Sequence, residues 1–126
     1  MKNIQRVLAT QATEDLIKQI SEDHGELMFH QSGGCCDGSQ PMCFAKDEFK
    51  VGSSDVCIGQ IGGCEFWMSS DQYEYWKHTQ LTIDITDGRG SSFSLEIPYG
   101  KRFVVKSSFF KSEQLDHLEP LKYISE

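Results

Sequence analysis

The spacing of apolar residues near the N-terminus predicts a helix. Ala12, Leu16 and Ile20 recur every four residues, which is typical of an amphipathic helix of about three turns. Thr10 precedes this stretch as a typical N-cap, and Gly25 follows it as a typical C-terminal stop. We therefore expect one N-terminal helix that covers a sheet.

Short strands are predicted along the middle of the chain. Residues 26–31 (ELMFHQ) hold consecutive apolar side chains, as in a strand that is buried on both faces. Residues 43–45, 56–61 and 65–68 are further strand candidates. In residues 56–61 the even and odd positions should face opposite sides. Residues 72–77 follow a cluster of N-capping residues and predict a short helix rich in aromatic side chains.

The clearest alternation predicts a hairpin. Apolar residues occupy every second position in residues 81–85 and again in residues 93–97, with a glycine-containing turn between them. We expect these two strands to pair antiparallel, with Ser94 and Glu96 on the solvated face. A third strand is expected at residues 102–106 (RFVVK).

These elements predict an α+β fold with a mostly antiparallel sheet, an N-terminal amphipathic helix and a short aromatic helix. The chain has 126 residues and no linker or compositional break, so a single domain is expected over residues 1–126. Its core should span residues 5–110. The charged segment 111–126 should be a peripheral tail.

Charge and hydropathy exclude some classes of protein. The net charge is −7 and the Lys and Arg residues are scattered, so we expect no nucleic-acid binding. No run of eighteen apolar residues predicts a membrane helix, and we expect no membrane partner. The N-terminus lacks the pattern of a secretory signal. We therefore predict a cytoplasmic protein with reduced thiols.

The candidate chemistry is concentrated in one glycine-containing loop, His30 to Cys43, whose first thirteen residues read HQSGGCCDGSQPM. It holds Cys35, Cys36 and Cys43, three of the five cysteines. Glycines let a backbone approach another group closely, and thiolates are soft nucleophiles and soft metal ligands. A loop that combines both after a strand predicts a site.

The leading hypothesis is a metal centre. Three thiolates, from Cys35, Cys36 and Cys43, would be completed by Cys64, which follows a second Gly-Gly pair, or by His30. Zinc is the expected ion, with Cu(I) or an iron–sulfur centre as alternatives. The spacing differs from that of zinc ribbons and zinc fingers, so the prediction depends on residue chemistry more than on a motif.

Two other interpretations of the loop stay open. In the first, Cys35 or Cys36 is a reactive thiol that the loop N–H groups stabilise, with His30 or His78 as the base. In the second, the thiols are structural and fill a tight loop, as buried Cys residues often do. A redox pair is less well supported, because CxxC is absent. Cys57 lies in a strand pattern and is expected to be an ordinary buried residue.

Two strings carry a resemblance to a known family. They are FHQSGGCCDGSQPMC, residues 29–43, and IGGCEFWMSSDQYEYWKHTQLTIDITDGRGSSFSLE, residues 61–96. Over residues 5–110 the chain resembles a bacterial family known only as domain-of-unknown-function family 779. Its members are often encoded beside NAD-dependent aldehyde dehydrogenases or alcohol-oxidation genes. The resemblance implies such a dehydrogenase as a partner.

A more distant resemblance is to HesB-like proteins, the A-type iron–sulfur carriers. Their Gly-Cys-Ser-Gly loop is similar to residues 34–38, and residues 79–81 precede a similar hairpin. This resemblance implies a HesB-like β-roll. The carriers end with Cys-Gly-Cys, which is missing here, so their cluster-transfer function is not implied.

We therefore expect a non-catalytic cytoplasmic accessory protein that binds a metal and supports aldehyde or alcohol dehydrogenase metabolism. A homo-oligomer is compatible with the sequence. The alternative is a small thiol-dependent enzyme or aldehyde-binding protein. In it, Cys35 or Cys36 would attack a carbonyl near the aromatic residues Trp67 and Tyr75.

Overall fold

The computed structural model describes residues 4–31, 41–46, 51–88, 94–118 and 121–123. The helices are α1 (Gln11–His24) and α2 (Ser70–Trp76), and 3₁₀ helices cover Ile97–Tyr99 and Ser112–His117. The strands are β1 (Val7–Ala9), β2 (Leu27–Gln31), β3 (Met42–Ala45), β4 (Asp55–Ile61), β5 (Cys64–Ser69), β6 (Thr79–Asp87), β7 (Lys101–Phe109) and β8 (Lys122–Tyr123).

Within these segments the strands form two sheets. One has the order β1-β6-β7 and the other the order β3-β2-β5-β4-β8. The pairs β1–β6 and β2–β5 are parallel, and the remaining four pairs are antiparallel. The predicted α+β class with mostly antiparallel pairing is confirmed. The HesB-like roll stays a prediction.

Helix α1 has the predicted limits because both ends are capped. The Thr10 hydroxyl accepts a hydrogen bond from the Thr13 N–H, and the N–H of Gly25 donates to the Ser21 carbonyl. Leu16, Ile17 and Ile20 form the buried stripe. These contacts satisfy backbone groups that a helix end otherwise leaves unpaired.

The core lies between the two sheets and α1. Phe29 of β2 is centred 6.0 Å from the ring of Phe66 in β5 and 5.0 Å from the ring of Phe103 in β7. All three rings are fully buried. Each such side chain contributes roughly 2–3 kcal/mol through burial. We call the core-facing side of the five-stranded sheet its inner face, and the opposite side its outer face.

Strand β4 departs from the predicted alternation. A β-bulge between Cys57 and Gly59 shifts its register against β5. Val56, Ile58 and Ile61 consequently all lie in the main core. Regular alternation predicted Ile61 on the other face of the strand from Val56 and Ile58. At the bulge, β1 lies very close to Gly59, where an added Cβ would be 3.0 Å from Val7 Cγ1.

The predicted hairpin partner is wrong. Strand β6 pairs along its whole length with β7, the predicted third strand. Lys101 and Lys106 of β7 bind Asp87 and Asp84 of β6, so charges as well as backbone groups match across this pair. Residues 94–96 form no strand. Their polar side chains are buried and not solvated.

The C-terminal tail contributes to the sheet. Strand β8 lies antiparallel to β4, with Val56 opposite Tyr123. A single bridge also connects Ile4 with Leu118. In the described part of the chain, no helix has the length and apolar character needed to cross a membrane.

The turn between β4 and β5 allows a test of the contact between the sheet and α1. Gly62 and Gly63 both have positive φ, but only at Gly62 would a Cβ meet a neighbour, at 3.2 Å from Ile17. Gly62→Ala and Gly63→Ala should both strain the backbone. Gly62→Ala should cost about 1 kcal/mol more free energy of unfolding, because it also crowds α1. Urea denaturation measures both; equal losses would contradict the contact.

Candidate functional site

The residues predicted to form the site are distributed over two parts of the chain. Cys35 and Cys36 fall in residues 32–40, outside the described residues. His30, Cys43 and Cys64 lie in strands β2, β3 and β5. Residues 32–40 lie between β2 and β3 in the sequence, and Cys43 is the second residue of β3.

The sheet register separates His30 from Cys43. Phe29 is paired with Cys43, and His30 with Met42. Neighbouring residues of a strand point to opposite faces. Cys43 therefore lies on the inner face with Phe29, whereas His30 lies on the outer face. The structure does not bring these two predicted ligands together.

Cys64 shares the inner face with Cys43 but lies on the other side of strand β2. Cys43 is opposite Phe29 on one side of β2, and Cys64 precedes Glu65, which is opposite Met28 on the other side. Strand spacing and rise place their Cα atoms about 12 Å apart. With a zinc–sulfur bond of about 2.3 Å and a sulfur about 2.8 Å from its own Cα, two cysteine ligands of one ion need Cα atoms within about 10 Å of each other. This register does not place both residues on one ion.

Cys64 instead lines a cleft between α1 and the β4–β5 turn. The cleft has a volume of about 680 Å³, and its charged walls include Glu14, Asp15, Lys18 and Lys46. Burial raises the pKa of the Cys64 thiol, and a hydrogen bond from the backbone of Leu27 partly opposes the rise. This environment favours the protonated thiol.

Cys43 belongs to a buried polar cluster that also contains Ser94 and Glu96. The Cys43 N–H donates to Ser94 Oγ at 2.9 Å, and the Ser94 hydroxyl donates to Glu96 Oε1. The N–H of Leu95 donates to the Cys43 carbonyl at 3.0 Å. Cys43 and Glu96 each have 0% of their surface exposed. Segment 94–96 therefore lies along the free edge of β3, and Ser94 links the backbone of Cys43 to the carboxyl group of Glu96.

Burial disfavours the charged forms of both ionisable groups in this cluster, the Cys43 thiol and the Glu96 carboxyl. Burial raises the pKa of Cys43 far above its usual range, with smaller contributions from the charges of Glu96 and Cys64. Burial also raises the pKa of Glu96, against hydrogen bonds from Ser94 and the nearby backbone N–H groups of Glu96 and Phe103. By distance and angle, no described residue makes a hydrogen bond to the second carboxyl oxygen of Glu96, Oε2.

Ser94 and Glu96 were not among the candidates from the sequence. Their positions in an alternating pattern predicted solvated side chains on a strand. A 3₁₀ helix at Ile97–Tyr99 directly follows Glu96 and contains Pro98. This proline was the signal in the sequence against a long strand, because proline is rare inside strands.

A second polar pair lies on the outer face. His30 Nε2 is 3.1 Å from Asp55 Oδ1, and both side chains are buried. Asp55 Oδ2 accepts a hydrogen bond from the Gly52 N–H at 2.8 Å. Asp55 thus connects the end of β2 to the turn before β4, and it orients the ring of His30.

The remaining candidates lie outside the buried polar cluster of Cys43, Ser94 and Glu96. Cys57 is buried on the outer face with Met28 and Trp67, which confirms its predicted burial. Tyr75 is 69% exposed on α2, whereas Trp67 is buried. The two rings expected to line an aldehyde pocket thus have very different exposures. Within the described segments, no three His, Cys, Asp or Glu residues are grouped so as to hold a metal ion.

Comparison with known families assigns the chain. The family described as Domain of unknown function (DUF779) matches residues 16–109, about three quarters of the sequence. The chain therefore belongs to the DUF779 family. A search of curated proteins gives no match.

The His30–Asp55 pair makes a stability prediction. Asp55→Ala should lower the free energy of unfolding by about 2–4 kcal/mol, because it removes the acceptor of the Gly52 N–H and the carboxylate beside a buried imidazole. Asp87→Ala, which removes an exposed carboxylate on β6, should change it by less than about 1 kcal/mol. Thermal and urea unfolding measure both variants. Equal effects would mean that the pair contributes nothing beyond a surface contact.

Proposed function

We propose that this protein is a metal-binding accessory protein whose centre forms where the Cys-rich segment 32–40 meets β3. Cys35, Cys36 and Cys43 supply the thiolates. The observation that supports this proposal is the buried cluster at Cys43, in which two ionisable residues, Cys43 and Glu96, are fully buried and are linked through Ser94. Buried ionisable groups cost free energy unless they are paired or bind a metal.

The proposed ligand set is narrower than the one that the sequence suggests. His30 faces the other side of the sheet and is bound to Asp55. Cys64 is separated from Cys43 by β2 and lines the cleft at α1. Neither is included. Cys43 is the fixed ligand, since it lies on a strand that is paired with β2 on one side and bound to segment 94–96 on the other.

A reducing cytoplasm would suit this centre, because it keeps cysteines as free thiols. Cys43, Cys57 and Cys64 are free thiols in the structure. The proposed physiological role is support of an NAD-dependent aldehyde or alcohol dehydrogenase. It rests on the family resemblance and not on any contact within the chain.

Elemental analysis of the anaerobically purified protein tests the proposal. We expect about one equivalent of metal, most of it lost in Cys43→Ser. Cys57→Ser and Cys64→Ser are matched controls, since they remove buried thiols from other places and should retain the metal. Less than about a tenth of an equivalent, with reconstitution failing, would refute the proposal. Loss of metal in Cys64→Ser but not in Cys43→Ser would refute the ligand set.

The His30–Asp55 pair favours a second candidate function, a thiol-dependent enzyme or aldehyde-binding protein. An imidazole oriented by a carboxylate can serve as the base for a nucleophilic thiol, here Cys35 or Cys36. Mass spectrometry after brief alkylation distinguishes the two functions. One hyper-reactive cysteine that becomes unreactive in His30→Gln supports the enzyme. Protection that disappears when a chelator is added supports the metal centre.

A further inference from the structure

One short segment, residues 94–96, contacts the edges of both sheets. On one side, Ser94 Oγ accepts a hydrogen bond from the Cys43 N–H, and the next N–H along the segment donates to the Cys43 carbonyl. On the other side, the backbone N–H of Phe103 in β7 hydrogen-bonds to the carboxyl of Glu96. Strands β3 and β7 are edge strands among the described strands of their two sheets. We call this segment the seam strap, because it joins one sheet to the other.

The seam strap is fastened more weakly than the strands on either side of it. Its residues form no strand, and it is bound to the sheets through the backbones of Cys43 and Phe103. By contrast, β6 and β7 are paired along nine residues each. Segments with few backbone contacts open locally at a lower free energy than the interior of a sheet. The strap is therefore expected to open before the sheets separate.

The strap also carries a group that disfavours its closed position. Glu96 is fully buried, and its Oε2 atom has no hydrogen-bond partner among the described residues. A polar atom that is buried without a partner loses the hydration that it has in water. Opening of the strap restores that hydration. The free energy of local opening is consequently reduced by the residue that reaches furthest into the core.

We propose that local opening of the seam strap, and not global unfolding, controls access to the thiol of Cys43. With the strap closed, Cys43 is fully buried on the edge strand to which the strap is bound. Leu95 packs against the core cluster that contains Cys43. Release of the strap therefore removes a side chain from the core together with the bonds to β3. This device goes beyond the proposed function, since it governs access to Cys43 whether or not a metal binds there.

Alkylation of the full-length protein along a urea series tests the strap. A chelator is present so that no bound ion protects the thiols, and mass spectrometry identifies the modified cysteine. We expect Cys43 to react about tenfold or more faster than global unfolding allows, at a rate that urea below the unfolding transition scarcely changes. Hydrogen exchange of the Leu95 N–H should show the same independence of urea. The slowest amides of β2 should instead follow global unfolding.

A serine variant and its control separate opening of the strap from general destabilisation. Ser94→Ala should raise the alkylation rate of Cys43 about tenfold, because the closed strap then leaves the buried Cys43 N–H without its acceptor. Ser108→Ala, which changes an exposed serine of β7, should leave that rate unchanged. An equal rise in the reactivity of Cys43 and Cys57 in Ser94→Ala would overturn the inference.

The wild-type measurement decides the inference without any variant. If alkylation of Cys43 follows global unfolding across the whole urea series, the strap does not open on its own and the inference is wrong. A rate for Cys43 that is independent of urea, beside amides of β2 that depend on it, supports the inference. Neither readout involves metal content, so failure of the strap and failure of the proposed metal centre are distinguishable.

Discussion

The enclosure of β2 between two neighbouring strands is the constraint on which the structure depends. This strand is hydrogen-bonded to β3 on one side and β5 on the other, and all five of its residues are buried. A strand so enclosed cannot shift by one residue without exchanging every side chain between the two faces. The register of β2 therefore fixes Cys43 on the side of the core and His30 on the side away from it. Two separate polar sites result from one strand pairing.

The inner polar cluster also explains how the edge of β3 is covered. An unpaired strand edge invites association with other chains. Here the N–H of Leu95 donates a hydrogen bond to the Cys43 carbonyl, and the hydroxyl of Ser94 accepts one from the Cys43 N–H. Both bonds form although residues 94–96 are not a strand. The carboxyl of Glu96 is carried into the interior by the same segment. A feature that completes the sheet thus also introduces the chemistry of the candidate site.

The sequence predicts local structure well here because local signals are strong. The caps of α1, the enclosed strand at residues 26–31 and the alternation of β6 were all readable from neighbouring residues. Partner choice was not, since β6 had two alternating candidates and only the tertiary structure selects β7. Cys43 was predicted as a candidate ligand from its chemistry. Ser94, Glu96 and Asp55 were missed because burial of a polar side chain depends on distant packing that periodicity does not report.

The bulge in β4 has a consequence for how the length of this chain can vary. Two residues, Ile58 and Gly59, occupy the space opposite Phe66 that one residue fills elsewhere in the ladder. Loss of one of them would leave Cys57 opposite Trp67 and Gln60 opposite Glu65, so no side chain would move to the other face of the sheet. Elsewhere in the same strand, a single deletion would move the side chains of all residues beyond it to the opposite face of the sheet. Natural relatives that differ by one residue within β4 should therefore carry the gap at this point.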